Sequence, residues 1–148
     1  RMVEATFIAS GKTIKEALDF SAHLTHKILI GDDMAEAAKK VDIFCNNIKD
    51  ANLLDAILWE RPKYSIISHN FVNNCSDEIV KIGYPGTKFS LDSDSLINIS
   101  PDLPPNLDSY KNYFQLVIMD GNELRKRAAT TWTKCKEMGI DIRFLETI

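Results

Sequence analysis

The chain has 148 residues, of which 45% are hydrophobic and 26% charged, and its formal net charge is -3. This length and composition fit one globular domain with a sizeable core and exclude a disordered chain. The mild acidity and the absence of a basic run longer than Arg125 to Arg127 argue against a nucleic-acid binder. No apolar run reaches the roughly 18 residues of a membrane helix, so we expect no membrane association.

The three cysteines, Cys45, Cys75 and Cys135, lie far apart and form no CxxC pair. They predict neither a disulfide framework nor a zinc site, and we expect no metal ligands. Cysteines of this kind are typical of the reducing cytoplasm. Since Arg1 precedes Met2, as in an expression remnant, we expect residues 1–148 to be a single α/β domain excised from a longer cytoplasmic protein.

Apolar periodicity and capping residues predict the elements of the first half of the chain. In order they are a strand at 2–9, a helix after Thr13, a strand at 27–31, a short helix from Asp33, a strand from Val41, a helix capped by Asp50 and stopped by Pro62, and a strand at 64–68.

The pattern weakens between Asn70 and Asn112, where we expect a helical turn at 78–82 and a short strand at 87–91. Residues 93–109 contain three prolines and several acids, and they predict a long, exposed and mobile loop. The last unit is the clearest. It comprises a strand at 114–119, a helix from Asn122 that Gly139 ends, and a strand from Ile140, with Leu124 and Trp132 on the core side of the helix.

Alternating strands and helices predict a three-layer α/β fold, Rossmann-like or flavodoxin-like, with a mainly parallel sheet of about six strands flanked by helices. Open sheets of this kind bind ligands at the carboxyl ends of their strands. Polar residues follow the predicted strands there. We therefore expect a small polar or anionic ligand to contact Gly11, Lys12, Asn46, His69, Asn70 and Asp120.

Two short segments resemble parts of known families. Residues Ser10 to Thr13, with the apolar strand ending at Asp120, resemble fragments of a P-loop NTPase, which would imply nucleotide binding. Thr6 stands where that signature has its first glycine, so we favour a turn at Gly11 and a helix cap at Thr13. The run ending in Asp32 and Asp33 is similar to the acid pair of response-regulator receiver domains. We favour a helix cap at Asp33, because no acceptor carboxylate follows the later strand.

No nucleophile, base and orienting group occur together in one motif, so the sequence predicts no catalytic residues and leaves the cofactor open. His69 could act as a base, but a hydrogen-bonded structural role is the commoner one. We interpret the chain as a ligand-sensing or partner-binding regulatory module of a larger cytoplasmic protein, with a role in signalling. The alternatives are a small metal-dependent or phosphate-handling enzyme that uses the same edge, and a pure protein-interaction domain.

Overall fold

The computed structural model describes residues 3–31, 36–65, 67–74 and 77–148. Its helices and strands alternate in the first and last parts of the chain, whereas between residues 69 and 117 the strands follow one another with 3-10 turns and loops between them. The strands are β1 (Glu4–Ala9), β2 (Val41–Phe44), β3 (His69–Phe71), β4 (Val80–Gly83), β5 (Ser95–Asn98), β6 (Asn112–Val117) and β7 (Asp141–Leu145). The helices are α1 (Ile14–Ile30), α2 (Ile48–Glu60), α3 (Pro62–Ser65) and α4 (Glu123–Glu137), with 3-10 turns at Val72–Asn74 and Leu107–Ser109.

The strands form one sheet in the order β3-β4-β2-β5-β6-β1-β7, and every strand pair in the described part of the chain is parallel. Helices α1 and α2 pack on one face of the sheet, around Ile8, Leu18 and Leu54. Helix α4 packs on the other face, around Phe7 and Tyr113. The predicted three-layer α/β fold is confirmed, and the sheet has seven strands where about six were expected.

Helix α1 begins where the sequence predicted but ends much later. The Thr13 hydroxyl accepts a hydrogen bond from the Glu16 backbone N–H at 3.2 Å, as expected of an N-cap. The segment 27–31 is not a strand, because its apolar residues continue the buried face of the helix beyond Leu24. Gly31, at φ 72°, ends the helix. The expected helix cap at Asp33 lies outside the described residues.

The predicted strand at 64–68 is also wrong. Helix α2 is capped by Asn47, whose side chain accepts from the Asp50 N–H at 2.8 Å, and the expected cap Asp50 lies in its first turn. The short helix α3 follows at once, with the Tyr64 N–H donating to the Arg61 carbonyl at 2.9 Å. Strand β3 therefore starts at His69, where the sequence predicted a strand to end.

The predicted mobile loop at 93–109 contains β5, a central strand of the sheet. Leu96 and Ile97 are buried on opposite faces of the sheet, and this part of the prediction is wrong. The polar residues that suggested a loop, such as Asn98, are buried as well and have hydrogen-bond partners. The helical turn expected at 78–82 is β4, and no strand forms at 87–91.

A buried carboxylate holds the segments before β5 and β6 against β2. The two oxygens of Asp42 accept hydrogen bonds from the Ser93 hydroxyl at 2.7 Å and the Tyr110 hydroxyl at 2.6 Å. Burial raises the pKa of Asp42, and the two hydroxyl donors partly oppose that shift. This buried network helps to order a stretch whose composition suggested mobility.

The last unit has the predicted form. Strand β6 leads into α4, Gly139 follows the helix at φ 77°, and β7 pairs with β1. Trp132 and Leu124 were expected in the core. Both pack against it, but each is only partly buried. Trp132 packs edge-on against Phe7, with ring centroids 5.1 Å apart.

Candidate functional site

The carboxyl ends of β1 and β6 are the place where an α/β sheet of this order would hold a ligand, and we call this place the switch-point crevice. From β1 the chain crosses to β2 on the α1 face, and from β6 it crosses to β7 on the α4 face. The connections therefore leave these two neighbouring strands toward opposite faces of the sheet and in opposite directions, which makes this a topological switch point. Gly11 and Asp120 lie on either side of it, and the Met119 N–H donates to the Gly11 carbonyl at 2.7 Å.

One wall of the crevice is the start of α1, and it is occupied by a carboxylate of the same chain. The Glu16 side chain accepts a hydrogen bond from the Lys12 N–H at 2.9 Å. Gly11 adopts φ 93°, and a Cβ at this position would lie 2.5 Å from the Glu16 Cβ. Glycine at this position thus allows the backbone to pass close to the Glu16 side chain.

The other wall is the start of α4, where the carboxylate of Asp120 also accepts hydrogen bonds from backbone N–H groups. Its carboxylate accepts hydrogen bonds from the N–H groups of Asn122, Leu124 and Arg125 at 2.9, 3.2 and 3.1 Å. These bonds, that from Asn122 above all, lower the pKa of Asp120. The N-terminus of α4 therefore holds a carboxylate from this chain, where an anion would otherwise bind, whereas Glu16 binds the Lys12 N–H just before α1.

Asn46 follows β2 and lies two strands away from β6, because β5 separates them. Its side-chain oxygen accepts from the Ser100 hydroxyl at 3.3 Å. Next to it lies a pair of buried amides that the sequence analysis missed. The Asn98 amide donates to the Gln115 side-chain oxygen, and Gln115 donates to the Ser100 carbonyl, both at 2.7 Å. These bonds fix the loop after β5.

His69 and Asn70 begin β3, so they lie toward the amino ends of the strands, away from the predicted edge. The His69 side chain is buried, and its Nδ1 is 2.7 Å from the Ile67 carbonyl oxygen. Its Nε2 lies 3.5 Å from the Asp55 carboxylate, and its ring is 4.5 Å from that of Trp59. The six predicted ligand contacts are therefore not brought together. Ligand binding at Gly11, Lys12, Asn46 and Asp120 stays a prediction.

An open groove lies on the α4 face of the sheet, between that helix and strands β1, β6 and β7. We call it the α4 groove, and its volume is about 300 Å³. Apolar side chains form most of its lining, and Arg125 is the charged residue among them. The described residues that line it are Phe7, Val117, Met119, Arg125, Ala128, Ala129, Trp132 and Phe144.

The α4 groove combines a buried floor with an exposed rim. Phe7 is 1% exposed and Phe144 is 42% exposed. Arg125 forms no ion pair with any described residue, whereas the neighbouring Arg127 is bound by Asp102 through two hydrogen bonds. That interaction lowers the pKa of Asp102 and raises the pKa of Arg127. Arg125 is thus the basic group that remains available at the groove.

The sequence contained a partial signal for this groove. Trp132 was expected in the core, and the alternation of β7 placed Phe144 on one face of a strand. Nothing in the pattern showed that the two side chains would line the same groove. Within the described ranges, no group of three or more His, Cys, Asp or Glu residues could hold a metal ion. In the same residues, no helix is both long and apolar enough to cross a membrane.

Comparison with protein families places this α/β protein among the subunits of a DNA polymerase. Residues 2–143 match the family described as DNA polymerase III chi subunit, HolC, and the chain therefore belongs to this family. No curated protein matched the chain.

This membership corrects the functional interpretation. A ligand-sensing or partner-binding regulatory module of a larger protein, with a role in signalling, is wrong, because the family consists of subunits of a DNA polymerase. A subunit assembles with other chains, so the expected protein partner is confirmed at that level. The sequence carried no motif for replication, since binding surfaces leave no catalytic signature.

Proposed function

We propose that this chain is a protein-binding subunit of DNA polymerase III that contacts a partner through the α4 groove. The observation that carries the proposal is an open apolar groove with an unpaired arginine on its rim. Exposed aromatic side chains beside a pocket are typical of protein interfaces, where a few buried anchors supply most of the binding energy. Phe144 has this character, and the partly buried Trp132 lies beside it in the lining of the groove.

The groove favours a partner segment that offers one large apolar side chain next to an acidic group. Its volume of about 300 Å³ accommodates a side chain of that size, and its walls are apolar. Arg125 would pair with the acidic group at the rim, and Lys134 on the exposed side of α4 adds positive charge. Membership in a polymerase family also supports the expected cytoplasmic location, because a polymerase subunit works where DNA is copied.

Substitutions in the groove, each with a neighbouring control, test this proposal. The probes are the other DNA polymerase III subunits from the same organism, purified singly and titrated by calorimetry. Arg125→Glu should weaken binding of one subunit at least about tenfold, because charge attraction becomes repulsion. The control Lys126→Glu makes the same charge change at a residue that does not line the groove. Equal affinities for both variants would contradict the role of the groove.

A second substitution tests the apolar part of the same surface. Ala129→Met should fill the groove and compete with the partner's anchor, whereas Thr130→Met, one position along α4, adds a similar side chain outside the groove. Both residues are exposed, so neither variant should lose its fold. Unchanged binding by the Ala129 variant would show that the anchor lies elsewhere.

A second contact surface is supported by Trp59 on α2. Trp59 is 57% exposed, and its ring packs at a tilt of 50° against the buried ring of His69, with ring centroids 4.5 Å apart. A tryptophan in this position is a frequent interface anchor. Trp59→Ala should reduce binding of a polymerase subunit while changing the free energy of unfolding by less than about 2 kcal/mol, since the residue is exposed. A large loss of stability would instead assign Trp59 to the core.

A further inference from the structure

Strand β7 is an edge of the sheet. It pairs with β1 on one side and no described strand lies on its other side. Its outer backbone N–H and C=O groups are therefore available for another strand. Exposed edges of this kind template pairing between chains, and charged residues on an edge oppose any pairing that does not match their charges.

The side chains of β7 divide between the two faces of the sheet. Ile142 and Phe144 lie on the α4 face, where Ile142 contacts the core and Phe144 borders the α4 groove. Asp141 and Arg143 lie on the α1 face, where they border a second groove of about 840 Å³. This face beyond β1 is open, so side chains of an added strand have room there.

The two charged residues of β7 lack a charged partner among the described residues. Arg143 donates from Nε to the Thr6 hydroxyl at 3.1 Å and forms no ion pair, and neither does Asp141. Both are exposed. Opposite charges thus lie two positions apart on one face of an edge strand, with Ile142 between them in the sequence.

The charge pattern of β7 matches that of a second, antiparallel copy of the same strand. We propose that two copies of the chain associate through antiparallel pairing of their β7 strands, with Ile142 of one copy opposite Ile142 of the other. A two-fold axis at this residue places Asp141 of each copy opposite Arg143 of the other, and it forms two interchain ion pairs. Centring the pairing on Arg143 would place two arginines opposite each other.

The α4 face supports the same register. When Ile142 lies on the axis, Phe144 faces Ile140 of the second copy, so an aromatic ring that is 42% exposed gains an apolar neighbour. The paired strands are five residues long, and such an interface is smaller than that of a permanent dimer. The association is therefore weak and depends on protein concentration.

Charge reversal tests both the contact and its register. Sedimentation equilibrium of the full chain from about 10 μM to 1 mM should show a monomer–dimer equilibrium that weakens with added salt. Asp141→Arg and Arg143→Asp each place like charges opposite one another, and each should lower the association constant at least about tenfold. Lys136→Asp, an exposed position on α4 away from β7, is the control and should leave the constant unchanged.

Mixing the two reversed variants is the decisive measurement. One chain then carries two positive charges on β7 and the other two negative charges, so a heterodimer with both ion pairs should form although neither variant associates alone. Circular dichroism of each variant checks that the fold is kept. A wild-type chain that stays monomeric up to about 1 mM, a dimer that both reversals leave intact, or a mixture that remains monomeric would overturn the proposal.

Discussion

The switch-point crevice and the α4 groove differ in how completely the chain satisfies its own groups. In the crevice, Asp120 supplies the anion that the N-terminus of α4 would otherwise bind, and Glu16 accepts a hydrogen bond from the Lys12 N–H just before α1. In the groove, Phe144 and Arg125 have exposed surface and no internal partner of the matching kind. The fold alone indicates where a ligand could bind. Groups that have no partner within the chain are the better indication of a binding surface.

The largest expected effect is on the free energy of unfolding, which should fall far more for a substitution in the floor of the α4 groove than for one at its rim. Phe7 is buried and packs edge-on against both Trp132 and Tyr113, with centroids 5.1 and 5.9 Å apart. Phe7→Ala should lower the free energy of unfolding by about 3–5 kcal/mol, as for other buried aromatic residues. Urea denaturation measures this value. Phe144→Ala at the rim is the control, and we expect a loss below about 1.5 kcal/mol there.

Similar losses at the two phenylalanines would remove the distinction between floor and rim. The groove would then be part of the core, and its exposed surface would need another explanation than a binding partner.

Most elements with a complete local pattern were predictable from the sequence. Strands β1 and β2 and the unit β6-α4-β7 each combine an apolar period with a cap or a stop. The failures had physical causes. The last turn of α1 is as apolar as a strand, and β5 carries buried polar residues whose partners, such as Gln115 for Asn98, lie far along the chain.

The candidate site was predictable only in part, because it depends on which groups meet in space. Asp120 was correctly placed at the edge of the sheet, yet the sequence could not show that its oxygens are used by the N–H groups of α4. His69 was placed at the wrong end of a strand, because Pro62 starts a short helix as well as stopping the preceding one. The α4 groove arises from residues over 130 positions apart.

Trp132 provides the next test of the comparison. Because this side chain is only partly buried, Trp132→Ala should lower the free energy of unfolding by about 2 kcal/mol, less than the 3–5 kcal/mol of a fully buried tryptophan. The same change should also weaken binding of the polymerase partner, because it removes one wall of the groove. Thr133→Ala, at an exposed neighbouring position, is the control. A full loss of 4 kcal/mol or more would return Trp132 to the core.

On the crevice side, Gly11→Ala should destabilise the chain by about 1–2 kcal/mol for its left-handed backbone alone, with a further cost from the contact with Glu16. Gly86→Ala separates these two effects. Gly86 has a similar φ of 99°, and a Cβ there would have no atom within 4 Å. Thermal unfolding of both variants should give a lower Tm for the Gly11 variant. Equal Tm values would mean that Glu16 can move away, and the crevice would be able to open.

The smallest expected effect concerns the pH dependence of the Asp120 cap. Since the folded-state pKa of Asp120 lies below its ordinary value of 3.8, its carboxylate stabilises the folded state above that value. This contribution is lost as the pH falls through the folded-state pKa. The wild type should therefore be more stable than Asp120→Asn from about pH 7 to pH 5, and the difference should shrink below about pH 4. Urea denaturation at each pH measures it, with Asp108→Asn as the exposed control. A difference that stays constant down to about pH 2 would show that the charge of Asp120 does not stabilise α4.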